Sequence, residues 1–127
     1  MSLLAQVGYG RVVFTLAALP AIRPVNHVLD DEEIVIRTRR LAGVSTALEA
    51  NAELGVPELV VAYEADLLDP VTRLGWSVVV TGVVSTITDP ARLRRIETRL
   101  HPWVDSATDI TLAIRPEIVT GMRVVAG

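Results

Sequence analysis

The sequence predicts a mainly β fold, an antiparallel barrel carrying two or three short helices, and three observations lead there. Runs rich in β-branched residues recur along the chain, from Arg11-Val12-Val13-Phe14-Thr15 to Ile118-Val119-Thr120. Turn residues interrupt them at short intervals without a regular strand-helix-strand alternation, which argues against a doubly wound parallel sheet. Half of the 127 residues are apolar and 21% are charged, a composition too apolar for disorder and a length suited to a single domain spanning residues 1–127.

Leu3 to Gly8 reads as the last turn of a helix ended by Gly8 and Gly10, as though further residues preceded it. Arg11 to Thr15 opens the first strand. Ala18-Leu19-Pro20 turns the chain into a second, Ala21 to Leu29, and Asp30-Asp31 turns it into a third, Glu33 to Thr38. The apolar spacing Val44, Ala47, Leu48, Leu54 predicts a short helix from Gly43 to Leu54, capped by Ser45 or Thr46 and closed by Gly55 and Pro57. Two longer strands, Glu58 to Leu67 and Gly75 to Thr88, flank the turn Asp69-Pro70-Val71-Thr72. Asp89 followed by Pro90 starts a charged helix running to about Leu100. After His101-Pro102-Trp103, strands Asp109 to Arg115 and Ile118 to Val125 complete a count of seven. Strands as continuously apolar as Leu59-Val60-Val61-Ala62-Tyr63 imply cover on both faces, by core on one and by helix or a second subunit on the other. The apolar excess points the same way, to a homodimer.

Several function classes are excluded by composition. The chain has no Cys, so disulfides, thiolate catalysis and sulfur-ligated zinc are out, and a reducing cytoplasm fits. All 12 basic residues are Arg, which removes Schiff-base chemistry on a lysine. No apolar run is long enough to span a bilayer, Met1 to Gly10 lacks the basic start of a signal peptide, and no metal-ligating pattern stands out. A net charge of -3 without a basic, aromatic-interleaved stretch speaks against nucleic acid.

The segment Ile22-Arg23-Pro24-Val25-Asn26-His27-Val28 carries the most chemical information. Period-two alternation puts Arg23, Val25 and His27 on one face. A guanidinium in an apolar strand needs an anion, either an internal carboxylate such as Glu64 or Asp66 or a ligand phosphate met bidentately. Arg37-Thr38, running into Arg39-Arg40 just before a helix start, concentrates donors and positive charge at a strand end. Arg39 and Arg40 fit a solvated basic turn; Arg37, after Ile34-Val35-Ile36, fits it less well. His27 is the one weak candidate for a catalytic group, with a structural role as the alternative. Trp103 fits either stacking on a ligand or core packing.

The ordered pieces Gly10-Arg11-Val12-Val13-Phe14, Arg23-Pro24-Val25-Asn26, Arg37-Thr38, Glu64, Asp69-Pro70 to Arg73, Gly75-Trp76-Ser77-Val78, Gly82, His101-Pro102-Trp103, Ile114-Arg115-Pro116 and Val119-Thr120-Gly121 resemble the pyridoxamine 5'-phosphate oxidase-like FMN-binding split-barrel family over nearly the whole chain. The resemblance implies a six-stranded split barrel of Greek-key type, homodimeric, with two flavins in clefts between subunits. It implies that Arg23 meets the flavin phosphate, with Pro24, Val25 and Asn26 along the ring. It further implies phosphate donors at Arg37, Thr38 and the helix-start Ser45, and ring contacts from Trp76 and Ser77. Family members commonly carry a Lys at the helix start, where this chain reads Gly43-Val44-Ser45-Thr46; the departure leaves three alternatives, a weaker hold on the phosphate, substitution by Arg39 or Arg40, or loss of the cofactor. A basic cluster for a pyridoxal phosphate substrate is not evident beyond Arg115 and Arg123, which sets vitamin B6 oxidation aside.

The functional expectation is an FMN-dependent oxidoreductase in which reduced nicotinamide or another small donor passes a hydride to the flavin. The isoalloxazine does that chemistry, so no acid-base dyad is required of the chain. An Arg-rich, Ala-rich, Lys-free sequence suggests a high-GC bacterial source and keeps a deazaflavin open as the alternative cofactor. A non-enzymatic anion-binding or sensor dimer and a purely structural dimer with Arg23 paired internally are the readings of other classes.

Overall fold

The structure, a computed structural model, describes residues 2–39, 43–56, 58–100 and 109–125. A short 3-10 helix, Ser2–Gln6, leads into strands β1 (Tyr9–Leu16), β2 (Leu19–Asp30) and β3 (Glu33–Arg39). Helix α1 (Gly43–Glu53) follows, then β4 (Leu59–Leu68), β5 (Gly75–Thr86), helix α2 (Pro90–Glu97) and β6 (Asp109–Val124). The six strands close into one antiparallel barrel in the order β1-β2-β3-β6-β5-β4.

Both tight hairpins are made by two residues with positive φ, Ala17 and Ala18 at 51° and 63°, and Asp31 and Glu32 at 51° and 61°. That backbone matches the right-handed twist of the flanking strands, which is why such turns join hairpins even without glycine. Closure is uneven. β1 runs beside β2 from Tyr9–Asn26 to Leu16–Leu19 but meets β4 only from Arg11–Glu64 to Val13–Ala62. β3 meets β2 from His27–Ile36 to Asp30–Glu33 and β6 from Arg39–Asp109 to Ile34–Ile114. The first half of β2 therefore runs on unpaired with β3 at the C-terminal end of β3, and the second half of β6 at its N-terminal end, so the barrel wall is open on β3 at both ends.

Alternate side chains fill the barrel: Val12 and Phe14 of β1, Ile34 and Ile36 of β3, Tyr63 and Ala65 of β4, Val78 and Val80 of β5, Leu112 and Ile114 of β6. Helix α1 adds Val44, Ala47 and Leu48, and Leu4 enters from the 3-10 helix. Helix α2 lies on the outer face, where Ile96 and Leu100 pack with Val35, Ala113 and Ile87. Gly10 is required where β1 crosses β4, because a Cβ there would stand 2.6 Å from the carbonyl oxygen of Glu64.

Three expectations need correction. The last two expected strands are one: β6 is continuous through Pro116, which is tolerated because β3 ends at the Ile34–Ile114 pair and leaves β6 an edge strand beyond it. A register shift between Thr81 and Gly82 absorbs the extra residue opposite them. Ser45 does not cap α1, since the helix already begins at Gly43 and the Ser45 hydroxyl donates to the carbonyl of Arg39 at 3.0 Å. The chain start is a 3-10 helix rather than an α-helical turn. The Asp89-Pro90 start is as expected, with Asp89 Oδ1 accepting from the Ala91 amide at 3.1 Å.

Candidate functional site

Pairing register decides where each expected side chain goes. Arg23 pairs with Val12, Val25 with Gly10 and His27 with Ile36, so all three share the inner face, as alternation predicts. Only His27 lies under the closed part of the barrel and is buried; Val25 is half-buried and Arg23 exposed, because β2 has left β3 behind at that level. Arg23 Nη1 donates to its neighbour's carbonyl, Ile22 O, at 2.8 Å, and among the described residues it forms no ion pair.

The internal partners open to Arg23 in the sequence are taken by another residue. Glu64 and Asp66 stand on the outer face, where Arg11 Nη1 lies 2.8 Å from Glu64 and 3.5 Å from Asp66. The barrel wall separates them from Arg23, which overturns the internal-pair reading. Burial and a hydrogen bond with Asp66 raise the Glu64 carboxyl above its ordinary value, against the pull of Arg11.

Arg23 instead points to the start of α1. A Cβ on Gly43 would stand 3.6 Å from Arg23 Nη2 and 2.6 Å from Phe14 Cζ, so glycine lets the helix start settle onto Phe14 with the guanidinium beside it. The first turn of α1 holds no acidic residue. A helix N-terminus with an adjacent guanidinium favours an anion, although Gly43, Val44 and Ser45 of the first turn are themselves buried. Ser45, by holding Arg39 O, ties this helix start to the end of β3. Thr38 shares the inner face through its pairing with Ile110; Arg37, paired with Thr111, faces outward and is half-buried. Arg40 lies outside the described residues.

Other expected site residues fall elsewhere. Pro24 and Asn26 are on the outer side of β2. Trp76 and Ser77 stand on opposite faces of β5: Trp76 is buried in the barrel core, and Ser77 is half-buried outside, between Asp66 and Met122. Trp76 is thus a core residue on the opposite face from Ser77. His101, Pro102 and Trp103 lie outside the described residues.

His27 is a core residue with both ring nitrogens engaged. Nε2 lies 2.8 Å from the carbonyl oxygen of Leu4, which can only accept, so Nε2 carries the proton. Nδ1, 2.6 Å from the Tyr63 hydroxyl, then accepts from it. Burial lowers the His27 pKa and raises that of Tyr63, and both shifts keep the pair neutral. The arrangement pins the 3-10 helix to the barrel and leaves the imidazole no free nitrogen for a ligand.

Sequence reasoning missed a charged clasp on the other side of the barrel. Asp30, buried at the end of β2, accepts from Arg92 Nε at 2.9 Å and from Arg95 Nε and Nη2 at 3.0 and 2.8 Å, with Arg99 Nη1 3.5 Å away. The hydrogen bonds of Arg95 hold its carboxyl down at about 2. A readable signal exists: Arg92, Arg95 and Arg99 repeat at the spacing of one helical face. Two grooves also escaped notice. One, of about 630 Å³, lies between the 3-10 helix, the end of β2 and the end of α2; the other, of about 900 Å³, lies beside the acidic hairpin Asp30 to Glu33 and Arg115. No described helix is long and apolar enough to cross a membrane.

The chain's likenesses agree with this layout. It is 58% identical over 126 residues to the uncharacterized protein Rv0080 of Mycobacterium tuberculosis, covering 99% of this chain and 81% of that one. A solved FAD binding protein from Mycobacterium smegmatis is 30% identical and superposes with a TM-score of 0.78 over 99% of this chain and 93% of its own. An FAD-binding protein from Mesorhizobium loti, 18% identical, shares the fold with a TM-score of 0.75 over 98% of this chain and 91% of its own. Residues 1–123 match the family model for pyridoxamine 5'-phosphate oxidase, and with the split barrel in place the chain belongs to that flavin-binding family.

Proposed function

We propose that this protein is an FMN-dependent oxidoreductase acting as a homodimer, with the cofactor phosphate held between Arg23 and the start of α1. The single observation that carries the reading is Arg23 itself. It is an exposed guanidinium on the inner face, without a carboxylate partner among the described residues, beside a helix start that lacks acids. The guanidinium fits a phosphate monoester as a bidentate donor, and the positive end of the α1 dipole favours its charge. Thr38, on the same inner face, adds a hydroxyl nearby, and Ser45 keeps the helix start in position. The flavin, when bound, accepts and returns the hydride; the chain orients it and excludes water.

Support for the dimer comes from exposed apolar side chains on the outer face of β4, β5 and β6. Val60 is 66% exposed, Ile118 60% and Met122 64%, with Val79 between them. These exposed apolar side chains, on a face that also carries Glu64 and Asp66, are a candidate contact for a second copy. Ser77 opens onto this face while Arg23 opens inward, so one flavin touching both positions would have to take them from two subunits. The FAD named for two of the solved relatives is the second cofactor to try, and a deazaflavin the third. A non-enzymatic anion sensor remains the reading of another class.

The test is retention of a yellow chromophore after incubation with FMN, FAD or deazaflavin and removal of the excess. One FMN per chain is expected, lost in Arg23→Ala while the folded dimer persists. Full retention by Arg23→Ala overturns the site, a monomeric mass overturns the dimer, and FMN binding without oxidation of reduced nicotinamide above free flavin favours the sensor.

A further inference from the structure

We infer that the groove between the 3-10 helix, the end of β2 and the end of α2 is a second small-molecule site, one that takes a compact apolar organic anion. Arg23 does not line it, and it does not depend on the flavin reading. Its volume, about 630 Å³, lies in the range of small-ligand pockets. Leu4 and Leu100, both almost fully buried, give it an apolar floor, and Val28 and Leu29 line it from β2.

Charge selects the ligand. Among the described residues no carboxylate lines this groove and one arginine does, Arg99, in a protein whose net charge is -3. Arg99 gives Nη2 to Leu29 O at 2.7 Å and holds Nη1 at 3.5 Å from Asp30. Those contacts fix the guanidinium at the rim without consuming its five donors, and the side chain is 45% exposed. The groove beside the acidic hairpin has the opposite character, with Asp30, Asp31, Glu32 and Glu33 in its wall. An anion is steered to the first and repelled by the second.

Gly8 supplies the independent observation. It lines the groove, a Cβ built on it meets nothing within 4 Å, and its φ is not in the left-handed region. Neither packing nor backbone conformation demands glycine there, and a Cβ at this exposed position would enter open space. A side chain at this position leaves the His27 N–H to Gly8 O hydrogen bond at 2.9 Å in place, because the backbone makes it.

The probe is 8-anilinonaphthalene-1-sulfonate, titrated calorimetrically into the full chain with and without FMN. One saturable site per chain is expected, unaffected by FMN and weakened about tenfold or more in Gly8→Phe at an unchanged urea midpoint. Arg99→Met should weaken the sulfonate about tenfold while leaving the uncharged N-phenyl-1-naphthylamine nearly as tightly bound. Should Gly8→Phe fail to fold, amide shifts of the wild-type protein decide: they should centre on Gly8 and Asn26 to Leu29. Undiminished binding by a folded Gly8→Phe, displacement by FMN, shifts centred on Val79 and Met122, or no saturable binding would each overturn the inference.

Discussion

Replacing Asp30 by Asn tests how the outer helix is held. The wild-type carboxylate is buried and collects hydrogen bonds from Arg92 and Arg95, with Arg99 at longer range. Its pKa falls from an ordinary 3.8 to about 2, chiefly through Arg95, a preference of about 2 kcal/mol for the charged form in the folded chain. Arg95 and Arg99 are 50% and 45% exposed, so solvent screening brings the expected loss in Asp30→Asn to about 1–2 kcal/mol at neutral pH. Because the folded pKa is depressed, this stability is fully present above the unfolded value near 3.8 and disappears as pH falls through about 2. Urea unfolding of both proteins from pH 7 downward reads it directly: the two midpoints should differ at pH 7 and converge toward pH 2. Arg92→Met should cost more than Arg99→Met, since Arg92 is 18% exposed and bonds both Asp30 and Glu33. Equal midpoints at neutral pH, or a gap that persists on acidification, would refute the clasp.

Three further outcomes follow from local geometry. Ala18→Gly should stabilise the β1–β2 hairpin by about 0.5–1 kcal/mol, because φ of 63° strains an alanine and suits glycine; an unchanged urea midpoint would count against the turn as described. His27→Ala should cost about 2–4 kcal/mol, since it strands the Leu4 carbonyl and the Tyr63 hydroxyl in the core. Its lowered pKa means that wild-type stability is full above about 6.5 and declines on acidification as the unfolded chain takes up the proton, a component His27→Ala should lack. Gly10→Ala should lose about 2 kcal/mol or more in the same unfolding assay, because a methyl there meets Glu64 O and the Tyr63 phenol, each 2.6 Å from the Cβ position.

Much of the barrel was legible because its signals are local. Alternation in β2 assigned Arg23, Val25 and His27 to one face, and Asp89-Pro90 marked the start of α2 within a residue. What failed were features set by neighbours distant in sequence. Pro116 looks like a strand break until β3 is seen to end opposite Ile114. Ser45 looks like a cap until its hydroxyl is found on Arg39 O. Glu64 looks like a partner for Arg23 until the register places it opposite Arg11. No local pattern carries the pairing register, and a one-residue change in it would exchange the two faces.

The same reasoning explains why the site reads more weakly than the fold. A strand that is buried on one side and bare on the other obeys a strict polar-apolar alternation, but β2 changes its surroundings midway, from barrel wall at His27 to open flap at Arg23. One face thus holds a neutral, doubly bonded imidazole and a solvated guanidinium only four residues apart, and the sequence alone assigns both to a single environment. The split in the barrel is what separates them. It buries the histidine as a fastener for the chain start and leaves the arginine exposed beside Gly43, with no ion pair among the described residues. For that reason Arg23→Ala is expected to leave stability nearly unchanged while His27→Ala lowers it, although alternation treats the two positions alike.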